Sequence, residues 1–175
     1  MFRKRLLTVE EVLSELDNML HRVFLFNPEI RIIFTISPVR HLRDGIIENN
    51  RSKAVLIQAV HHLVNKFDRL YYFPAYELVI DDLRDYRFYA EDMVHPNYQA
   101  TNYVWEKFVA SGFSDNTRET MKEIHKLRAA LTHKPLHPES ASHRAFLKKN
   151  LEATMELAGR FPFLDLSEEL IYFAS

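Results

Sequence analysis

The sequence predicts an α/β fold. Two short apolar runs, residues 30–36 and 70–73, flank a helical segment over residues 52–67. A further helical pattern precedes the first run, and helical patterns alone follow position 114. Strand, helix and strand in this order make a βαβ unit, whose strands run parallel with a right-handed crossover.

Each element has a local cause. Val9, Val12, Leu13, Leu16, Met19, Leu20, Val23 and Phe24 recur at helical steps, which predicts a helix over residues 8–26. Thr8 and Glu11 have the spacing of a capping box, and Leu7 can staple onto Val12 outside it. Asn27-Pro28 stops this helix. Residues 30–36 are apolar and β-branched, as suits a strand buried on both faces, and Pro38 ends it. After a polar loop through Asp44-Gly45, Val55, Leu56, Ala59, Val60, Leu63 and Val64 mark the second helix, and residues 70–73 the second strand. A third helix is expected over residues 76–86. A fourth, over residues 97–110, has Pro96 in its opening turn and Gly112 at its end. Met121, Ile124, Leu127 and Leu131 then mark one helix and Ala145, Phe146, Leu151, Met155 and Leu157 another, joined by a His/Pro-rich loop. These form a C-terminal helical extension, residues 113–175, expected to pack on the same body as residues 1–112.

Composition narrows the function. With 47% hydrophobic, 13% aromatic and 27% charged residues, the 175-residue chain has the core and surface of one ordinary globular domain. Its 23 basic and 24 acidic residues leave a net charge of -1, so no global field draws in nucleic acid or anionic membranes. The absence of cysteine removes disulfides, thiolate metal sites and a cysteine nucleophile, and leans towards the cytoplasm. The basic stretch from Met1 to Leu7 meets Glu10 and Glu11 before any apolar run of signal length, and no run is long enough to span a membrane.

Two parallel strands make a thin sheet, because parallel sheets are normally covered by helices on both faces. Two readings fit: a small α+β domain with further strands, or a truncated α/β domain. Chemistry concentrates beyond the second strand, the side of an open parallel sheet where ligands bind. There Asp92 and His95 stand three residues apart, in Ala90-Glu91-Asp92-Met93-Val94-His95-Pro96. In a turn, such a carboxylate holds one imidazole nitrogen protonated while the other takes a proton from a hydroxyl or water. Taken alone, the same four residues also fit a loop histidine satisfied beside a proline.

Three segments add context: Thr35-Ile36-Ser37-Pro38-Val39-Arg40-His41-Leu42, Tyr72-Phe73-Pro74-Ala75-Tyr76-Glu77, and the run from Asp82-Leu83-Arg84-Asp85 through Asp92-Met93-Val94-His95-Pro96. With the tail Phe161-Pro162-Phe163-Leu164-Asp165-Leu166, they resemble the later portion of the GSCFA family, which looks like a branch of the SGNH (GDSL-type) hydrolases. The resemblance implies an incomplete doubly wound, flavodoxin- or SGNH-like parallel sheet. It also implies a serine acyl-enzyme mechanism on acyl or acetyl esters such as an acetylated sugar, with His95 as base and Asp92 as its orienter. The naming motif Gly-Ser-Cys-Phe-Ala, which carries the presumed nucleophilic serine, is absent, and Gly45, Gly112 and Gly159 are not placed to form an oxyanion loop. A missing N-terminal region accounts for both the thin sheet and the missing nucleophile.

Other candidates are weaker. Ser37 directly follows the first strand, but beside Pro38 a turn role fits it better than attack. Ser37, Arg40 and His41 are expected to line the site. Arg84, Asp85, Arg87 and Glu91 are expected to brace the Asp92/His95 loop through buried pairs. Among His133, His137 and His143, Pro135 breaks helical presentation and no acidic ligand follows closely, so no metal is expected, nor any other cofactor. His61 and His62 lie on adjacent faces of one helix and suit its surface. The aromatic residues around positions 71–89 fit core packing better than a carbohydrate wall. The rival to a hydrolase portion is a non-catalytic interaction module, whose exposed sheet edge pairs with a partner chain or a second copy.

Overall fold

The computed structural model describes residues 4–174, so the first residues of the basic N-terminal stretch, and Ser175, lie outside the described residues. The chain divides into two compact units, Met1–Ser111 and Gly112–Ser175.

The first unit is α/β. Helix α1 (Val9–Phe26) opens with the predicted capping box: Thr8 Oγ1 accepts from the Glu11 amide, and the Glu11 carboxylate accepts from the Thr8 amide. Strand β1 (Ile32–Phe34), helix α2 (Gly45–Lys66) and strand β2 (Leu70–Tyr72) complete the βαβ unit, with β1 and β2 parallel and Ile33 opposite Tyr71. Leu20 from α1, Leu63 from α2 and Leu70 from β2 form a core against which Leu16, Phe24, Ile32, Phe34 and Phe67 pack.

The core covers one face of the sheet only. Ile33 and Tyr71, neighbours on the other face, are 52% and 46% exposed, which corrects the expectation of a strand buried on both faces. The cause is the pleat: successive side chains point to opposite faces, and α1 and α2 pack against Ile32, Phe34 and Leu70. An apolar sequence run does not by itself provide the second cover.

Three further elements depart from the sequence reading. Helix α2 begins seven residues before the expected start, at Gly45, whose φ of +87° suits glycine. Residues 76–86 do not form one helix. A single turn, α3 (Ala75–Glu77), passes into a π-helical turn, Leu78–Asp82, closed by a bond from the Leu83 amide to the Leu78 carbonyl. Arg84, at a φ of +28°, turns the chain out of the helix, and Asp85 caps a following 3-10 turn, Tyr86–Phe88. Helix α4 (Tyr98–Gly112) starts after Asn97, whose side-chain oxygen accepts from the Ala100 amide. Pro96 therefore precedes the cap rather than occupying the first turn.

The second unit is helical. Helices α5 (Asp115–Leu131), α6 (Ala141–Arg160) and α7 (Ser167–Phe173) enclose Leu127, Leu157, Leu166 and Phe173. Ser114 and Ser140 cap α5 and α6 through the amides of Thr117 and His143. Arg128 reaches Glu168 and the buried Glu169, and Arg160 grips Glu123 with both terminal nitrogens. Helix α7 is a third helix where the sequence reading placed two. No helix among the described residues is long and apolar enough to cross a membrane.

Candidate active site

The segment that carries Asp92 and His95 is a narrow loop pinned at its base. Tyr89 and Pro96 form an antiparallel bridge, the Ala90 amide donates to the His95 carbonyl at 2.7 Å, and the Asn97 amide donates to the Phe88 carbonyl at 2.9 Å. The Asn97 side chain adds a bond to the Arg87 carbonyl at 2.6 Å. Inside this frame the Met93 amide closes a turn onto the Ala90 carbonyl, with Met93 itself at a φ of +58°. A methionine in the left-handed region is held there by the bonds around it rather than by its own preference.

Asp92 organises what remains. One carboxylate oxygen accepts from the amides of Val94 and His95 at 2.9 and 3.0 Å. The other lies 2.6 Å from His95 Nδ1. The bond from the His95 amide, then that from its imidazole, then the Val94 amide hold the Asp92 carboxyl down at a pKa of about 2. An ionised carboxylate only accepts, so Nδ1 carries the hydrogen of this bond and Nε2 is the basic nitrogen of the neutral ring. His95 and Asp92 side chains are 60% and 47% exposed, and no described residue hydrogen-bonds Nε2. The pair is chemically equipped to take a proton from a group arriving at Nε2.

The loop after β1 meets this one. The Arg40 amide donates to the Val94 carbonyl at 3.1 Å, and the Arg40 guanidinium lies over the rings of Tyr86 and Tyr89, 4.9 and 4.3 Å from their centroids. Ser37 is exposed and makes a turn: its hydroxyl accepts from the Val39 amide at 3.2 Å, and its carbonyl accepts from Lys53 at 2.6 Å. No hydrogen bond joins it to His95 among the described residues. The His41 amide is fixed by the buried Asn49 at 2.8 Å, and its ring turns to Asp44, which also binds Lys4. His41 lines a cavity of about 510 Å³ with Lys4, Val12 and Asp44, whose walls include neither Asp92 nor His95.

The expected buried bracing pairs are not there. Arg84 pairs with Asp81, and Arg87 with Asp85, all on exposed side chains. The loop is braced by backbone bonds and by Asn97, because a tight turn supplies amides and carbonyls closer than any long side chain. Sequence reasoning assigned Tyr86 and Tyr89 to core packing and missed Asn97 and Asn49 as parts of this region; the Asn97-x-x-Ala100 cap was the legible signal. Among the described residues no three histidine, aspartate or glutamate side chains gather in a way that would hold a metal. His133 and His143 instead lie against the Phe146 ring. Tyr71 and Tyr86 are exposed, so core packing accounts for Tyr89 but not for these two.

The first unit is thus α/β, and a loop beyond its second strand holds the Asp92 carboxylate against the His95 ring. Comparison with known families is more specific. The GSCFA family matches residues 1–108, and the C-terminal domain of GSCFA domain proteins matches residues 124–175. The chain belongs to the GSCFA family. No curated protein and no solved structure matches it.

Proposed function

We propose that Asp92 and His95 are the base half of an SGNH-like serine ester hydrolase site, and that the first unit is the later part of a doubly wound domain. The observation that carries this reading is the 2.6 Å contact between Asp92 and His95 Nδ1, with Nε2 left open in an exposed ring. A serine from outside these 175 residues gives its hydroxyl proton to Nε2 as its oxygen attacks the acyl carbon of an acyl or acetyl ester, such as an acetylated sugar. The imidazolium returns that proton to the departing alkoxide. Water then repeats the two transfers and releases the acid. Asp92 keeps the ring in the tautomer this needs and offsets the charge it gains. Of the residues expected to line the approach, Arg40 reaches this loop, through its bond to Val94.

The absence of the Gly-Ser-Cys-Phe-Ala motif supports a nucleophile supplied from elsewhere, as does a sheet with two strands among the described residues and one half-exposed face. The second reading is a non-catalytic module that pairs this sheet with a partner chain or a second copy. It draws on the same half-exposed face. Hydrolysis of p-nitrophenyl acetate separates the two. The chain alone and its His95→Ala variant should give equal, background rates. Combined with a polypeptide carrying the motif-bearing portion of a GSCFA protein, the chain should gain activity that His95→Ala lowers by about a hundredfold or more. Activity indifferent to His95 would remove it as the base.

A further inference from the structure

Among the described residues, no carboxylate pairs with Arg40. It is half-buried, and the groups acting on its guanidinium are the phenols of Tyr86 and Tyr89, with no carboxylate among them. The two rings lie 4.9 and 4.3 Å from the guanidinium carbon and 6.2 Å from each other, so they flank it from one side, and the five N–H donors of its planar fork leave capacity for a further acceptor. Tyr89 is more than nine-tenths buried, and among the described residues its hydroxyl makes no hydrogen bond of normal geometry, the Arg40 guanidinium being the charged group that it acts on; this arrangement costs stability unless something completes it.

These residues share a cleft of about 140 Å³, walled by Arg40, Arg84, Asp85, Tyr86 and Tyr89 over Val79. Ligand pockets for whole small molecules start at roughly 300 Å³, so this one suits a single substituent. The acids nearby are already occupied. Asp85 accepts from the Arg87 amide at 2.8 Å and lies 3.5 Å from its guanidinium, and Asp81 pairs with Arg84 at 3.3 Å. The cationic character of the cleft is local, since the chain as a whole is near neutral.

We propose that this cleft is an anion subsite, in which Arg40 binds a carboxylate or phosphate group through its N–H donors, the hydroxyls of Tyr86 and Tyr89 complete the shell, and Arg84 closes the mouth. Because the Arg40 amide is bonded to the carbonyl of Val94, the residue before His95, an anion held here is tied to the loop that carries the base. The natural substrate is then an ester that bears an acidic group, such as an acylated acidic sugar. That last step rests on the hydrolase reading of His95; anion binding does not.

The test is a titration of the full chain, isotopically labelled at arginine side chains and tyrosine rings, with sodium phosphate and separately with sodium acetate at constant ionic strength, followed by NMR. Saturable shifts of Arg40 Nε–Hε and of the Tyr86 and Tyr89 rings are expected, and the tighter of the two salts tells a tetrahedral dianion from a planar carboxylate. Arg40→Gln should abolish saturation. Arg84→Gly, which removes a cation where the backbone already favours glycine, should weaken binding by about threefold to tenfold and keeps the test open if the first variant does not fold. Shifts that stay linear, or that persist unchanged in both variants, overturn the proposal. Saturable binding without His95-dependent ester hydrolysis in the motif-complemented protein would keep the anion site and discard the hydrolase reading. Hydrolysis that shows no preference for p-nitrophenyl hemisuccinate over p-nitrophenyl acetate, without saturable binding, would do the reverse.

Discussion

Asp92 divides its two oxygens between the backbone and the ring, and this division sets its response to pH. Its carboxyl titrates at about 2, below the ordinary value of 3.8, because the bound amides and imidazole favour the charged form. A depressed carboxylate contributes order that is fully present above the ordinary value and is lost only as pH falls through the lowered one. The Val94 and His95 amide resonances should therefore hold their positions as pH is lowered from about 6 to about 4, where an unperturbed aspartate would already be close to half-protonated. A midpoint near 3.8 for those amides would show that the carboxylate is not held as described. The Asp92/His95 spacing was legible because three intervening peptide bonds set how far a carboxylate can reach within one turn. The contact of Arg40 with the rings of Tyr86 and Tyr89 was not, because Arg40 is far from both in sequence and only the meeting of two loops joins them.

The elements divide in the same way, according to whether their cause is local. Helix α1 was readable end to end, since its apolar spacing, its Thr8/Glu11 box and its Asn27-Pro28 stop all lie within the segment. Helix α2 was not readable at its start, where Glu48-Asn49-Asn50-Arg51 carries no apolar period. Asn49 is buried there because its side chain accepts the His41 amide, a contact outside the helix. The turn after α3 depended on a residue held at positive φ, which no propensity of arginine announces. Where the cause is local, single substitutions have local costs. Thr8→Ala removes the side-chain acceptor for the Glu11 amide, and should lower stability by about 1 kcal/mol in a urea titration, with the slope of the transition unchanged. A loss below a few tenths of a kcal/mol would mean that the remaining contacts of the first turn suffice without the cap.

At the scale of the whole molecule, each of the two units closes its own hydrophobic core, around Leu20, Leu63 and Leu70 in the first and around Leu127, Leu157 and Phe173 in the second. The first unit departs from ordinary α/β construction in its sheet. Parallel sheets are usually covered on both faces, yet here α1 and α2 take one face, and Ile33 and Tyr71 stand side by side on the other. Stability should follow that asymmetry. Leu63→Ala empties a fully buried position between α1 and the sheet, and is expected to cost about 2–5 kcal/mol. Ile33→Thr keeps a β-branched residue on a half-exposed site and should cost no more than about 0.5 kcal/mol in the isolated chain, as for other exposed positions. If the sheet is completed by the segment that supplies the serine, the order reverses in function. Ile33→Thr should then weaken reconstitution of esterase activity by that segment while leaving the isolated chain's urea midpoint in place. A large loss of stability for Ile33→Thr in the isolated chain would mean that the outer face is already packed, and that no completing segment is needed to cover it.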